Sequence, residues 1–412
     1  MTDSSRKPSE PIRTSFIITS LGAGGAQMML LKLLQQLDRK KFDPEVISLS
    51  GLRPETCFLL ERYRSLGIKT LVFNLNLGPA MALQMASLIA HLRRRQPRLV
   101  STWMYHADLM GGLAARLAGR FPVVWNIRHS NLDRVKDKKS TVMVADLCAR
   151  LSKYLPQKII CCARDSQITH SSIGYDQNRM LVIPNGFFTD EYVPDPELRM
   201  RSRKELGIED DFLAIGMFGR YHPHKGHKNF FQAAEIFVRG NRKVRFVLCG
   251  FQVDWENQEI ADSIRKYGME DYFLLLGQQA DMPRLYSALD ILASASVCEG
   301  FSNVIGEAMS CGVPCAVTDV GDSAWIVGDT GMIVSPNSPE ELAQALIKMT
   351  EIGQKERTRL GISARERIVD NFSIPKIVRQ YEDLFECLVK HNENVHGGYK
   401  CGHEVEKLKI NN

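Results

Sequence analysis

Glu299 to Pro314 read EGFSNVIGEAMSCGVP. Ser302 is suited to cap a helix over Asn303 to Cys311, Gly312 to stop it, and Pro314 cannot continue it. Glu299 then lies in the loop ahead of the helix and Glu307 in its second turn. Two acceptor-only carboxylates around a positive helix end can hold sugar hydroxyls while unpaired N–H groups face phosphate. A loop acid and a solvated helix glutamate would produce the same letters, so the pair gains meaning only from its company.

That company begins upstream. Leu213 to Phe218 reads as a strand, and Gly219-Arg220-Tyr221-His222-Pro223-His224-Lys225-Gly226 follows it, at the edge of an α/β sheet where ligands bind. A guanidinium fork at Arg220 and an ammonium at Lys225 suit a diphosphate; a solvated basic loop is the other reading. Lys228 to Val238, Val244 to Cys249, Glu256 to Lys266 and Phe273 to Leu276 continue a helix–strand alternation. An earlier series runs from the strand Ser15 to Thr19 through a turn with Gly24 and Gly25 to the helix Gln27 to Leu37. It continues through Glu45 to Leu49, Gly67 to Phe73, Met81 to Arg95, Leu99 to Met104, Leu109 to Leu117 and Val123 to Ile127. Such alternation implies parallel β-α-β units. The restart after Pro184-Asn185-Gly186, where Pro194 and Pro196 mark a connection, divides the chain in two.

Composition sets the outer bounds. The 412 residues are 44% hydrophobic and 24% charged, which removes support for disordered, collagen-like or coiled-coil chains. A net charge of +6 accommodates an anionic substrate and is too small to mark a nucleic-acid footprint. None of the 10 cysteines forms a CxxC pair, which favours reduced thiols over a disulfide scaffold or zinc site. No apolar run approaches the ~20 residues of a membrane span, and no signal peptide is expected. The absence of GxGxxG disfavours a dinucleotide dehydrogenase.

In this order, Gly24-Gly25-Ala26, Pro184-Asn185-Gly186, Gly219-Arg220 with Lys225-Gly226, Asp281 to Asp290 (DMPRLYSALD) and Glu299 to Pro314 resemble the retaining glycosyltransferases of family 4, over about residues 15 to 388. The resemblance implies an α/β GT-B fold, two Rossmann-like doubly wound domains facing across a cleft. It implies a leader at 1–14, an acceptor-side domain at 15–185 and a nucleotide-sugar-binding domain at 186–373. A helix at 374–390 would cross back to the first domain, and 391–412 would be a flexible tail. By the same resemblance Arg220 and Lys225 hold the donor diphosphate, Glu307 the nucleotide ribose and Glu299 hydroxyls of the transferred sugar. Gly219 and the backbone of Gly300, Phe301, Ser302, Asn303 and Val304 would meet the donor, Gly24 and Gly25 would approach it, and Gly277 to Met282 (GQQADM) would frame the base.

His106 matches a histidine placed near the anomeric centre, and His129 is the acceptor-side candidate. Trp103 stands where some relatives carry histidine, and Gln27 replaces the glutamate of the usual GGAE, so the acceptor side departs from the pattern. The resemblance implies a nucleotide-diphosphate-sugar donor, a lipid-linked glycan acceptor in polysaccharide or lipopolysaccharide biosynthesis, and no cofactor or metal. His222, His224 and His227 read as incidental histidines of a phosphate loop. A sugar-nucleotide epimerase of the same fold, for which Asp108 is the nearby acid, and a non-catalytic nucleotide-sugar-binding subunit are the alternatives. Lys136, Lys138 and Lys139 precede a segment expected to place Val142, Val144, Leu147, Leu151 and Leu155 on one helical face with Arg150 and Lys153 on another. With Arg93 to Arg95 this suits peripheral contact with the cytoplasmic membrane face, and equally an ordinary core-facing helix.

Overall fold

The computed structural model describes residues 10–22, 24–51, 57–75, 80–130, 132 and 138–396. The leader up to residue 9, Lys136 and the tail from 397 lie outside the described residues. The chain divides into two compact units, Met1–Pro184 with Pro375–Asn412, and Asn185–Ile374.

The first unit is built on β1 (Ile12–Ile18), β2 (Phe42–Ser48), β3 (Lys69–Val72), β4 (Leu99–Trp103), β5 (Val123–Ile127), β6 (Lys158–Cys161) and β7 (Met180–Val182). They form one parallel sheet in the order β3-β2-β1-β4-β5-β6-β7. Every residue of β4 and β5 is buried, as expected where helices cover both faces of a parallel sheet. The second unit repeats the plan with β8 (Leu213–Phe218), β9 (Val244–Cys249), β10 (Phe273–Leu275), β11 (Ile291–Ser294), β12 (Cys315–Thr318) and β13 (Met332–Val334). Their order is β10-β9-β8-β11-β12-β13, again parallel. In each sheet the strand order reverses once, between β1 and β4 and between β8 and β11, and a crevice opens there at the carboxyl ends.

Two expected boundaries move. Pro196 belongs to a packed helix, Pro196–Glu205, whose Asp195 cap accepts from the Leu198 amide at 2.9 Å. Proline at the first helical position costs nothing, because its missing N–H would have had no partner. The last helix, Ile374–His396, also outruns the 374–390 expected for it, taking in the first residues assigned to a tail. Its polar end is tied to the first unit by the Arg98–Glu393 ion pair and by Asn392 donating to the Arg120 carbonyl at 3.4 Å.

Upstream, the same helix presents Ile377, Val378, Tyr381, Leu384, Phe385 and Leu388 as a buried stripe. Phe385 lies 6.1 Å from the Phe16 ring and 6.3 Å from Phe42, and Tyr381 stacks on Trp103 at 6.1 Å. The C-terminal helix therefore completes the core of the first unit. Phe385→Ala should destabilise that unit by about 3–5 kcal/mol through lost burial and the cavity left behind; denaturant unfolding followed by tryptophan fluorescence will measure the loss.

Candidate functional site

In the second unit the loop after β8 is pulled against the end of β11. Gly226 has φ +69°, and a Cβ there would lie 1.9 Å from the Ala295 carbonyl oxygen, so only glycine permits this approach. The His224 carbonyl accepts from the Val297 amide at 2.8 Å on the same seam. The result places Lys225 Nζ 2.5 Å from Glu299 Oε1, and Ser296 Oγ donates to that same oxygen at 2.8 Å.

Arg220 does not join them. It is exposed, and among the described residues no ion pair holds it. Burial first, then the charges of His224, Arg220 and Lys225, hold the His222 imidazole below its usual value. Both cations stand on the loop after β8, beside the switch between β8 and β11. The neighbouring loop keeps close as well, with Gly250 N donating to the Gly277 carbonyl at 2.9 Å and Gln279 bonded to the Leu276 carbonyl at 2.6 Å.

Gly300 to Val304 lead into the helix Asn303–Ser310. Ser302 occupies the cap position, but its side chain makes no capping hydrogen bond. Phe301 is fixed instead by Phe187, Phe372 and Trp325, with ring centroids 6.0, 5.6 and 6.1 Å away. Its side chain belongs to the core, so this loop offers a ligand its backbone. The Asn303 side chain accepts from Asn185 Nδ2 at 2.9 Å, which links the Pro184-Asn185-Gly186 turn to the helix start. Glu307, on that helix, accepts from the Tyr286 hydroxyl at 2.9 Å. Ser296 and Tyr286 are not legible as site residues in the sequence: the partner of Tyr286 lies on another helix, that of Ser296 three residues on in the same loop, and neither spacing nor composition marks them.

In the first unit Gly24 caps the helix Gly25–Gln36. Gln27, where the usual motif has glutamate, is buried and donates to Ser20 Oγ at 3.2 Å. His106 sits in the first turn of the helix Tyr105–Ala118, which starts earlier than its apolar pattern because Met104 takes φ +76° and turns the chain sharply. Burial lowers the His106 pKa, so the ring stays neutral further into acid. His129 is exposed at the end of β5, its ring 6.3 Å from Tyr105, whose hydroxyl meets His170 Nε2 at 2.6 Å. Trp103 lies between the Arg128 guanidinium, 4.2 Å from its ring, and Tyr381, so it serves the core. Asp108, the acid of the epimerase reading, is 1% exposed, accepts from Thr102 Oγ1 at 2.5 Å and is driven toward its neutral form by burial. It is placed to hold β4 rather than to meet a ligand.

The expected apolar face over 142–155 is not one face. The helix Lys139–Leu151 buries Ala145, Cys148 and Ala149, small residues that allow close packing, while Leu155 is buried beyond its end. Met143, Leu147 and Tyr154 are 67%, 42% and 68% exposed, alongside exposed Lys139, Arg150 and Lys153. Among the described residues no helix is long and apolar enough to cross a membrane.

The model of a family described as Glycosyltransferase Family 4 matches residues 23–191, and that of Glycosyl transferases group 1 matches residues 213–351. An Escherichia coli UDP-Gal:alpha-D-GlcNAc-diphosphoundecaprenol alpha-1,3-galactosyltransferase is 26% identical over 88% of this chain and 93% of its own length. The Staphylococcus aureus capsular polysaccharide biosynthesis glycosyltransferase CapM is 24% identical over 74% of this chain and 81% of its own. The crystal structure of Anabaena HepE in complex with UDP aligns over 91% of this chain and all of the other, with TM-score 0.79 at 23% identity, and shares the GT-B fold.

The first residue of the helix after the basic loop, His227, makes stability depend on pH. His227 is buried beside Tyr221, among the described residues neither ring nitrogen has a hydrogen-bond partner, and its pKa falls to about 4. The unfolded chain takes up that proton first, near the ordinary 6.5, so this stability is present above 6.5 and is lost as pH falls toward about 4. A phenylalanine ring at this position would carry no such proton. His227→Phe should therefore flatten the loss of stability across that window, read as unfolding midpoints at the two pH values.

Proposed function

We propose that this chain, which belongs to the glycosyltransferases of family 4, moves a sugar from a nucleotide-diphosphate donor to a hydroxyl of a lipid-linked glycan, with retention at the anomeric carbon. One observation carries this reading: Lys225, Glu299 and Ser296 meet at the switch point of the second sheet, at the loop leading to the helix that bears Glu307. As the nucleotide leaves, negative charge grows on its phosphate; Arg220, Lys225 and the first N–H groups of the helix Asn303–Ser310 are the groups suited to oppose it. Glu299 takes hydroxyls of the transferred sugar and Glu307 those of the ribose. The departing phosphate accepts the acceptor's proton on the face where the new bond forms, which preserves the anomeric configuration. In this reading the basic side chains and helix end supply the positive charge, without a metal ion. From the first unit it takes His106, kept neutral by burial, for the anomeric centre and His129 for the acceptor.

The lipid-linked acceptor is supported by the diphosphoundecaprenol in the E. coli relative's name, and surface polysaccharide by CapM. Peripheral membrane contact is supported by Met143, Leu147 and Tyr154 standing out among basic side chains, the pattern of an interfacial helix.

Two measurements test the reading. Glu307→Ala should weaken nucleotide binding by roughly 1–3 kcal/mol through a lost charged hydrogen bond, while Glu299→Ala should chiefly lower turnover. Wild-type nucleotide affinity in Glu307→Ala would remove the ribose role. For the membrane face, Met143→Ser with Leu147→Ser should reduce binding to vesicles containing anionic lipid by about tenfold or more, with nucleotide affinity unchanged; undiminished vesicle binding would discard that surface.

A further inference from the structure

We infer that Ser296 and Tyr286 are positioning residues, each holding one oxygen of one of the two glutamates from a buried hydroxyl. The inference rests on the transfer reading above and assigns a task to two residues that reading does not use.

Ser296 is 3% exposed, and its own carbonyl is taken by Thr318 Oγ1 at 2.6 Å, so the hydroxyl projects from a backbone fastened to β12. It shares Glu299 Oε1 with Lys225. Both donors converge on Oε1, which leaves the lone pairs of Oε2 for a sugar hydroxyl. The sharing matters when a donor arrives. An anionic diphosphate competes with Glu299 for the Lys225 ammonium, and as Lys225 turns to phosphate Glu299 loses its closest partner. Ser296 does not move with the lysine, so it keeps the carboxylate aimed.

Tyr286 is fully buried, its ring packed 5.1 Å from Phe218 and 6.0 Å from Tyr192. Its hydroxyl therefore has one fixed position, from which it donates to Glu307 Oε2 at 2.9 Å. A hydrogen bond to a carboxylate is stronger than one between neutral groups, and it sets the direction in which Glu307 faces a ribose.

The two anchors have separable consequences. The ribose is unchanged by reaction, so loosening Glu307 weakens ground and transition state alike; the transferred sugar changes charge and shape, so loosening Glu299 slows turnover. The test uses the full chain and whichever of UDP, GDP, ADP or dTDP most raises its melting temperature, with the matching sugar donors for kinetics. Tyr286→Phe keeps the ring and should raise the nucleotide Kd by roughly five- to thirtyfold with kcat within about twofold. Ser296→Ala should lower kcat by about tenfold or more while the nucleotide Kd stays within about twofold. Wild-type values of both parameters in either variant, or equal losses of both in the two variants as from a loosened fold, would overturn the inference. Glu299→Ala and Glu307→Ala run alongside: if they too are wild type the transfer reading itself falls, and if they are impaired as stated the failure belongs to the anchors alone.

Discussion

A parallel sheet cannot be closed by hairpins; every strand must be reached by a crossover that covers one face or the other. In both units the crossovers run one way from the first strand and then the other, so the loops after β1 and β4, and after β8 and β11, part at the carboxyl edge. The candidate residues of each half stand on these loops and the helices they start. Gly24 and His106 follow β1 and β4, Lys225 and Glu299 follow β8 and β11. The chemistry is distributed in the sequence because the crevice is made by strands that are neighbours in space and not in order.

Within the second unit the site is held by opposite charge and by close backbone approach. Lys225 and Glu299 neutralise one another while partly screened from water, a state that avoids an unpaired charge in a confined place. Gly226 and Gly321 serve the same end: a Cβ at Gly321, φ +54°, would lie 2.5 Å from the Glu299 carbonyl oxygen, so the turn before Asp322 braces the very residue that carries the carboxylate. Asp322 N then donates to the Gly300 carbonyl at 2.9 Å.

Much of this is readable in the letters. The spacing of Glu299 and Glu307 across the start of the helix Asn303–Ser310, and the basic loop ending in Gly226, are readable because each lies within one continuous stretch. What escapes is set by contacts and backbone turns that no pattern of letters marks. Tyr286 acquires its role from a glutamate on another helix, and Ser296 from Glu299 within the same loop. The strands β6, β7, β11, β12 and β13 have only three or four residues each, too few for a period to show. Leu147 stays outward while Ala145, Cys148 and Ala149 fill the seam and Val144 and Leu151 pack against it, so hydrophobicity alone overstates the buried face. His106 lies on a helix because Met104 adopts a backbone conformation that no letter announces.

The sequence of the first unit is interrupted: the whole of Asn185–Ile374 is inserted before the helix that covers Phe16, Phe42 and Trp103. On a ribosome the second unit emerges as one continuous stretch and has all its own strands in hand before synthesis ends. The first unit, although made earlier, must wait with an uncovered apolar face until the last helix leaves the exit tunnel, and its closing contacts span more than three hundred residues of chain, as between Asp38 and Glu382. The part translated first is thus the part finished last, and in the interval between the two its apolar face is open to misassembly.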